Sequence, residues 1–180
     1  MVAYAGSIPL LGGLGLRAPR PADQDFLLQL FVESRPWLSW AADDRDVLHA
    51  LYEQQFKALR AGLETAYPEH LDFIVERTGQ AVGRLAIDLG VRDWRISELA
   101  IVAAARGKGI GTGLVRSLQM AAEQQRLPIT LSTPMAGAID GRSLYERLGF
   151  QVTAVRPPLY EMAWLPACLR APQQAGLAAG

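Results

Sequence analysis

Arg106, Gly107, Lys108, Gly109, Ile110, Gly111, Thr112 and Gly113 form a run that neither a helix nor a strand explains. Each glycine inside a regular element costs about 0.5–1 kcal/mol relative to alanine. Four in seven residues therefore mark backbone that something must approach closely. The run follows the apolar residues 99–105 and precedes an amphipathic pattern, which gives the order strand, glycine loop, helix. A helix starting on such a loop leaves amide N–H groups unpaired at the positive end of its dipole, an arrangement that suits phosphate or pyrophosphate. Arg106 and Lys108 add cations at the same spot, and Thr112 can add a hydroxyl. The alternative is a plain tight connection with its basic residues in solvent.

Two familiar phosphate loops do not fit. A P-loop needs Gly-Lys followed by Ser or Thr, but Gly109 follows Lys108 and Val102 stands where the upstream glycine should be. The dinucleotide fingerprint is better matched at residues 13–18, yet Pro19 and Pro21 come where its helix should continue.

At 180 residues the chain can bury roughly two-thirds of its unfolded surface, and one domain with one core is expected. Eighteen basic residues balance 18 acidic ones, so no nucleic-acid footprint is apparent and a small partner is expected. The lone Cys168 excludes an internal disulfide framework, and with only His49 and His70 besides there is no ligand cluster at zinc spacing. The first 16 residues are uncharged but lack a basic leader region and are broken by Pro9 and four glycines. No apolar run approaches the ~18–20 residues of a membrane span. These features point to a cytoplasmic protein without metal or membrane partner.

Along the chain, residues 1–11 read as a lead-in and 12–18 as a first strand ending at Pro19. Phe26, Leu27, Leu30 and Phe31 predict a helix over 23–34, stopped by Pro36. Trp37 and Trp40 lie in a short aromatic connection, where they either line a pocket or cap the core. Asp43 and Asp44 are N-cap candidates for a second helix with Val47, Leu48, Leu51, Tyr52, Phe56, Leu59 and Leu63 on one face, ended by Pro68. Residues 70–77 and 80–89 form a hairpin through Thr78 and Gly79, and 94–102 form a central strand apolar on both faces at its end. After the loop, Ile110, Leu114, Leu118 and Ala121 or Ala122 predict a helix up to Pro128, with a parallel strand over 128–133 beyond it. A short helix over 141–148, with Leu144 and Leu148 on its core face, ends at Gly149. Strands over 150–155 and 159–164 follow, and the Ala-, Gln-, Gly- and Pro-rich remainder reads as an unpacked tail.

The loop from Arg106 to Gly111 and the later run Leu144, Tyr145, Glu146, Arg147, Leu148, Gly149, Phe150 together resemble the GCN5-related N-acetyltransferases (GNAT). The loop fits that family's pattern of Arg or Gln, two residues, Gly, one residue, Gly or Ala. The second run looks like its other recurrent motif, and the separation and strand order agree. The resemblance covers about residues 12–165, leaving 1–11 as lead-in and 166–180 as tail. It implies an α/β (α+β) GNAT-like fold in a single domain. The sheet would be mixed but mostly antiparallel, with about seven strands and about four flanking helices. A parallel strand–loop–helix–strand unit would hold acyl-CoA.

By that resemblance, Arg106, Gly107, Lys108, Gly109, Ile110, Gly111 and Thr112 hold the diphosphate of acetyl-CoA, and the backbone of Ile101 and Val102 meets its pantetheine and acetyl end. The implied activity is N-acetyltransfer (EC 2.3.1 type) from acetyl-CoA to an amine, by a monomer or homodimer. The alternative is a non-catalytic acyl-CoA-binding or interaction module that keeps the fold. The amine must attack as the free base although its pKa is about 10. Glu98 is the candidate proton acceptor, sharing a strand face with Ala100 and Val102 by alternation; otherwise it is a salt-bridged or edge glutamate. A strand N–H near Ile101 or Val102 would hold the developing oxyanion. Tyr145 matches the family's usual acid; one residue from Leu144, it points about 100° off the buried stripe. The family often has Asn seven residues before this Tyr and a small residue four before; here these are Ala138 and Gly141, with Asp140 close enough to compensate. The acceptor site is expected among residues 33–40, the turn at Thr78 and Gly79, and residues 156–160.

Overall fold

A computed structural model describes residues 6–35, 43–67, 70–135 and 141–170. The expectations attached to Pro36, Trp37, Trp40, Pro68, Ala138 and Asp140, and to the tail beyond 170, lie outside these residues. One sheet of eight strands runs through the molecule in the order β1-β2-β3-β4-β5-β6-β8-β7. The strands are β1 (Ser7–Pro9), β2 (Leu14–Arg17), β3 (His70–Arg77), β4 (Gln80–Leu89), β5 (Trp94–Ile101), β6 (Ile129–Pro134), β7 (Gln151–Arg156) and β8 (Leu159–Trp164). Among the described residues four α-helices flank them: α1 (Gln24–Glu33), α2 (Arg45–Ala66), α3 (Ile110–Gln125) and α4 (Gly141–Arg147). Only β5 and β6 pair in parallel, across the α3 crossover.

Two apolar clusters divide the helices between the faces. Ile110, Leu114 and Val115 of α3, with Tyr145 and Leu148 at α4, pack on Val75, Leu85, Ile87 and Leu131. Leu27 and Phe31 of α1 and Tyr52 and Phe56 of α2 cover Ile74 on the opposite face. Helix α2 starts where its sequence says: the Asp44 carboxylate accepts the N–H groups of Asp46 and Val47 at 2.8 and 3.1 Å. Val47 itself is exposed, so the apolar face of α2 begins later than predicted. Thr78 and Gly79 (φ 49° and 81°) both adopt the left-handed conformation that a two-residue hairpin needs.

The eighth strand is a correction. Ser7–Pro9, read as lead-in, pairs antiparallel with β2 at the sheet edge. Three residues ending in proline carry no alternation, and an edge is where a proline is tolerated. The chain after β8 is also tied down, since the N–H of Ala167 donates to the Glu123 carboxylate of α3 at 2.9 and 3.1 Å.

Arg17 holds the β2 end of the sheet. Its guanidinium donates to both Asp23 oxygens (2.6 and 2.8 Å) and to Glu76 of β3 (2.6 Å). The Arg17 hydrogen bond, assisted by that of the Arg20 N–H, outweighs burial and lowers the Asp23 carboxyl to about 2. A depressed carboxyl stabilises the fold above its unfolded pKa near 4, by roughly 2 kcal/mol, and that stability is lost as pH falls towards 2. Asp23→Asn should therefore lower Tm at pH 7, and melts across pH 2–7 should show the difference from wild type shrinking below pH 4.

The feature that positions the site is a fork. β5 and β6 pair only from Trp94↔Ile129 to Ile96↔Leu131 and then part. At the parting point β5 carries a bulge: Ala86 opposes Glu98 and Ile87 opposes Ile96, which leaves Ser97 as the extra residue. β5 stays on β4 because Gly83 lets it come close; a Cβ there would run into the carbonyl oxygen of Ala100.

Candidate active site

Beyond the bulge the main chain of β5 alternates regularly. The N–H of Val102 donates to the Val82 carbonyl oxygen at 3.0 Å, on the β4 side. Alternation then turns the N–H and C=O of Leu99 and Ile101 the other way, into the fork. Of the two donors named from the sequence, Ile101 therefore faces the gap, while the Val102 N–H is engaged elsewhere. The Ile101 carbonyl oxygen accepts a hydrogen bond from Arg106 Nε at 2.8 Å, so Arg106 braces the strand end as well as bringing charge to the loop.

A 3₁₀ turn at Ala103–Ala105 leads into the glycine loop. Gly107 and Gly109 have φ of 73° and 75°, and a Cβ on either would meet open space. They are glycines because of backbone conformation, and the surface above them stays free. Gly109 is the N-cap of α3 and brings no side-chain cap. The first intrahelical bond runs from Gly113 N–H to Gly109 C=O at 2.8 Å, leaving the N–H groups of Ile110, Gly111 and Thr112 beyond the helix's own pairing. The buried Ile110 side chain anchors this end in the core, and Lys108 is exposed. The residues expected to grip a diphosphate therefore share one helix start at the mouth of the fork.

Tyr145 differs from its expected placement. It is buried (9% exposed) beside Leu148 (8%), whereas Leu144 is only partly buried. Its ring meets Phe150 edge-on at 5.4 Å and 63°. α4 is buried on more than one side, so a single-stripe reading of seven residues misjudges it. Gly141 allows α4 to sit against β6, because a Cβ there would press on Thr133 Oγ1. Burial pushes the Tyr145 hydroxyl up to about 12, which keeps it neutral and able to donate across the neutral range.

Glu98 takes the salt-bridged alternative. One carboxylate oxygen accepts two hydrogen bonds from Arg35 at 3.2 Å, and the other pairs with Arg84. Arg84 in turn donates to both Asp72 oxygens at 2.8 and 3.0 Å. Sequence reading missed Arg35, Arg84 and Asp72. The available signal was the alternation of the hairpin, which places Asp72 and Arg84 at inward positions where a charge needs a partner.

The segments expected around the acceptor separate. The turn at Thr78 lies on the β2 side, its N–H donating to Gly13 C=O at 3.0 Å. The connection between β7 and β8 does reach the β6 arm of the fork: Met135 N–H donates to Pro158 C=O at 2.9 Å, and the Arg142 guanidinium of α4 lies 4.6 Å from the Tyr160 ring centroid.

The fork between β5 and β6 thus opens onto an uncapped helix start. Residues 69–152 match the family model described as acetyltransferase (GNAT) domain, and over that stretch the chain is similar to this family. Solved structures agree on the fold. The PaiA N-acetyltransferase of Thermoplasma acidophilum, in complex with coenzyme A, aligns with TM-score 0.62 at 13% identity, over 84% of this chain and 98% of its own. The ribosomal-protein-S18-alanine N-acetyltransferase of Escherichia coli aligns with TM-score 0.61 at 14% identity, over 89% and 97%. An aminoglycoside 6′-acetyltransferase type Ii aligns with TM-score 0.56 at 20% identity, over 83% and 96%. No curated protein matches the chain significantly. Among the described residues no helix is long and apolar enough to cross a membrane, and no group of His, Cys, Asp or Glu could hold a metal ion.

Proposed function

We propose that this chain transfers an acetyl group from acetyl-CoA directly to a primary amine of a small molecule, peptide or protein. The observation that carries the reading is the fork, with the Ile101 main chain turned into it and three N–H groups beyond helix pairing at its mouth. The coenzyme A held by the T. acidophilum neighbour supports the identity of the donor. In this reading the N–H groups of Ile110, Gly111 and Thr112, reached across Gly107 and Gly109, hold the diphosphate, and Lys108 and Arg106 add charge. The Ile101 N–H is the donor for the oxygen that gains charge as the amine attacks. Tyr145, kept neutral by burial, donates to the departing sulfur. Both Glu98 oxygens are engaged by guanidiniums, so Glu98 orders β5, and the proton of the amine leaves through water.

Titration calorimetry with CoA and a free-thiol assay with acetyl-, propionyl- and succinyl-CoA against a panel of amines test this reading. Binding with thiol release that rises with pH towards the amine pKa of about 10 is expected. Binding without turnover on any amine would make the chain a non-catalytic module, and no heat of binding would remove the site.

A further inference from the structure

The last turn of α1 grips β5 at two points. Glu33 Oε2 accepts the N–H of Ala103 at 3.0 Å, immediately after β5 ends. Arg35, just past the helix, donates twice to Glu98 at 3.2 Å. It is held ready for this, lying 4.0 Å from the Phe31 ring centroid and donating to Ser34 Oγ at 2.7 Å, which in turn donates to Phe31 C=O at 2.8 Å. The two grips bracket Leu99–Val102, the stretch that faces the fork.

The main-chain hydrogen bonds where this stretch ends show what the grip adds. The Ile101 carbonyl is held by Arg106, the Val102 N–H by Val82, the Val102 carbonyl by Ala105 N–H at 2.9 Å, and the Ala103 carbonyl by Arg106 N–H at 3.2 Å. All of these partners belong to β4 or to the turn that follows β5. The Ala103 N–H alone is held from α1. Its carboxylate partner also fixes the first residue of the turn that launches the glycine loop.

We propose that Glu33 and Arg35 are positioning residues of the acyl-CoA site: a two-point clamp from α1 that sets where the cofactor-facing edge of β5 sits relative to the start of α3. The clamp acts through the Ala103 N–H and the Glu98 carboxylate, which are the groups it holds. It rests on the reading that Ile101 and the glycine loop hold CoA, and wild-type calorimetry separates the two ideas. If the wild type binds no CoA, the site reading fails before the clamp is tested.

With binding in hand, Glu33→Ala and Arg35→Met should each raise the CoA Kd and the acetyl-CoA KM by about five- to tenfold, the range of a modest coupling free energy, with acceptor KM within twofold. Glu33→Gln keeps an oxygen to accept the Ala103 N–H and should recover most of the loss. A role in folding alone would lower the ligand-free Tm and leave the CoA Kd within twofold of wild type, which would overturn the clamp. Equal losses in Glu33→Ala and Glu33→Gln would overturn it as well, because the hydrogen bond to Ala103 would then not be what matters.

Discussion

Tyr145→Phe is expected to slow free-thiol release from acetyl-CoA by about 100-fold, the lower range of general acid catalysis. CoA affinity should stay within twofold. Phenylalanine keeps the ring in its edge-on contact with Phe150 and the fill of the pocket beside Leu148, so the fold has no reason to respond. What is lost is one donor. With burial holding the hydroxyl near 12, Tyr145 remains protonated from acid through neutral pH, and any rise of rate with pH belongs to the amine. The pH profiles of the two proteins should therefore have the same shape and differ in height. Single-turnover thiol release at saturating acetyl-CoA measures the effect, and a fall of less than about tenfold would take Tyr145 out of the mechanism.

Arg84→Met is expected to give the largest loss of stability. Arg84 is 2% exposed and joins Asp72 of β3 to Glu98 of β5 across β4. Removing it leaves two carboxylates beneath α1 and α2 without their shared partner, a type of change that costs about 3–5 kcal/mol. For a chain of this size that is a fall in Tm of about 6–20 °C. Arg60, 4.0 Å from Asp72, and Arg35 on Glu98 remain to shield the two charges, which favours the lower part of that range. Adding Asp72→Asn and Glu98→Gln to Arg84→Met should recover part of the loss, since the uncompensated charges would be gone. Thermal melts of the three-residue and single variants check this, and an Arg84→Met melt within 2 °C of wild type would sink it.

Much of the fold could be read from local signals. The glycine loop announced the start of α3, Asp44 announced α2, and Thr78-Gly79 announced the hairpin, because each feature is decided by backbone conformation within a few residues. The misreadings of β1, Tyr145 and Glu98 involve distant partners. β1 exists because β2 offers it an edge, and nothing within Ser7–Pro9 shows this. The depth of Tyr145 depends on Phe150 and on Gly141 admitting α4 to β6, which no helical stripe records. The tie between Arg84 and Glu98 depends on strand register, which breaks at Val75/Glu76 and again at Ala86/Ile87. Val102 was an equal candidate to Ile101 until its hydrogen bond to Val82 set which of the two looks into the fork.

The supernumerary Ser97 has a larger effect than its size suggests. Strands keep a two-beat rhythm, and one extra beat inverts everything downstream. Because of it Ile96 and Leu99 both belong to the α3 side although they lie three positions apart, while Arg95 and Glu98 share the other side. Were Ser97 paired opposite Ala86 with no bulge, the same sequence would offer the amides of Ala100 and Val102 to the opening in place of Ile101's and turn the aliphatic side chains of 99 and 101 towards α1. The phase of a single strand thus selects which peptide group faces the fork.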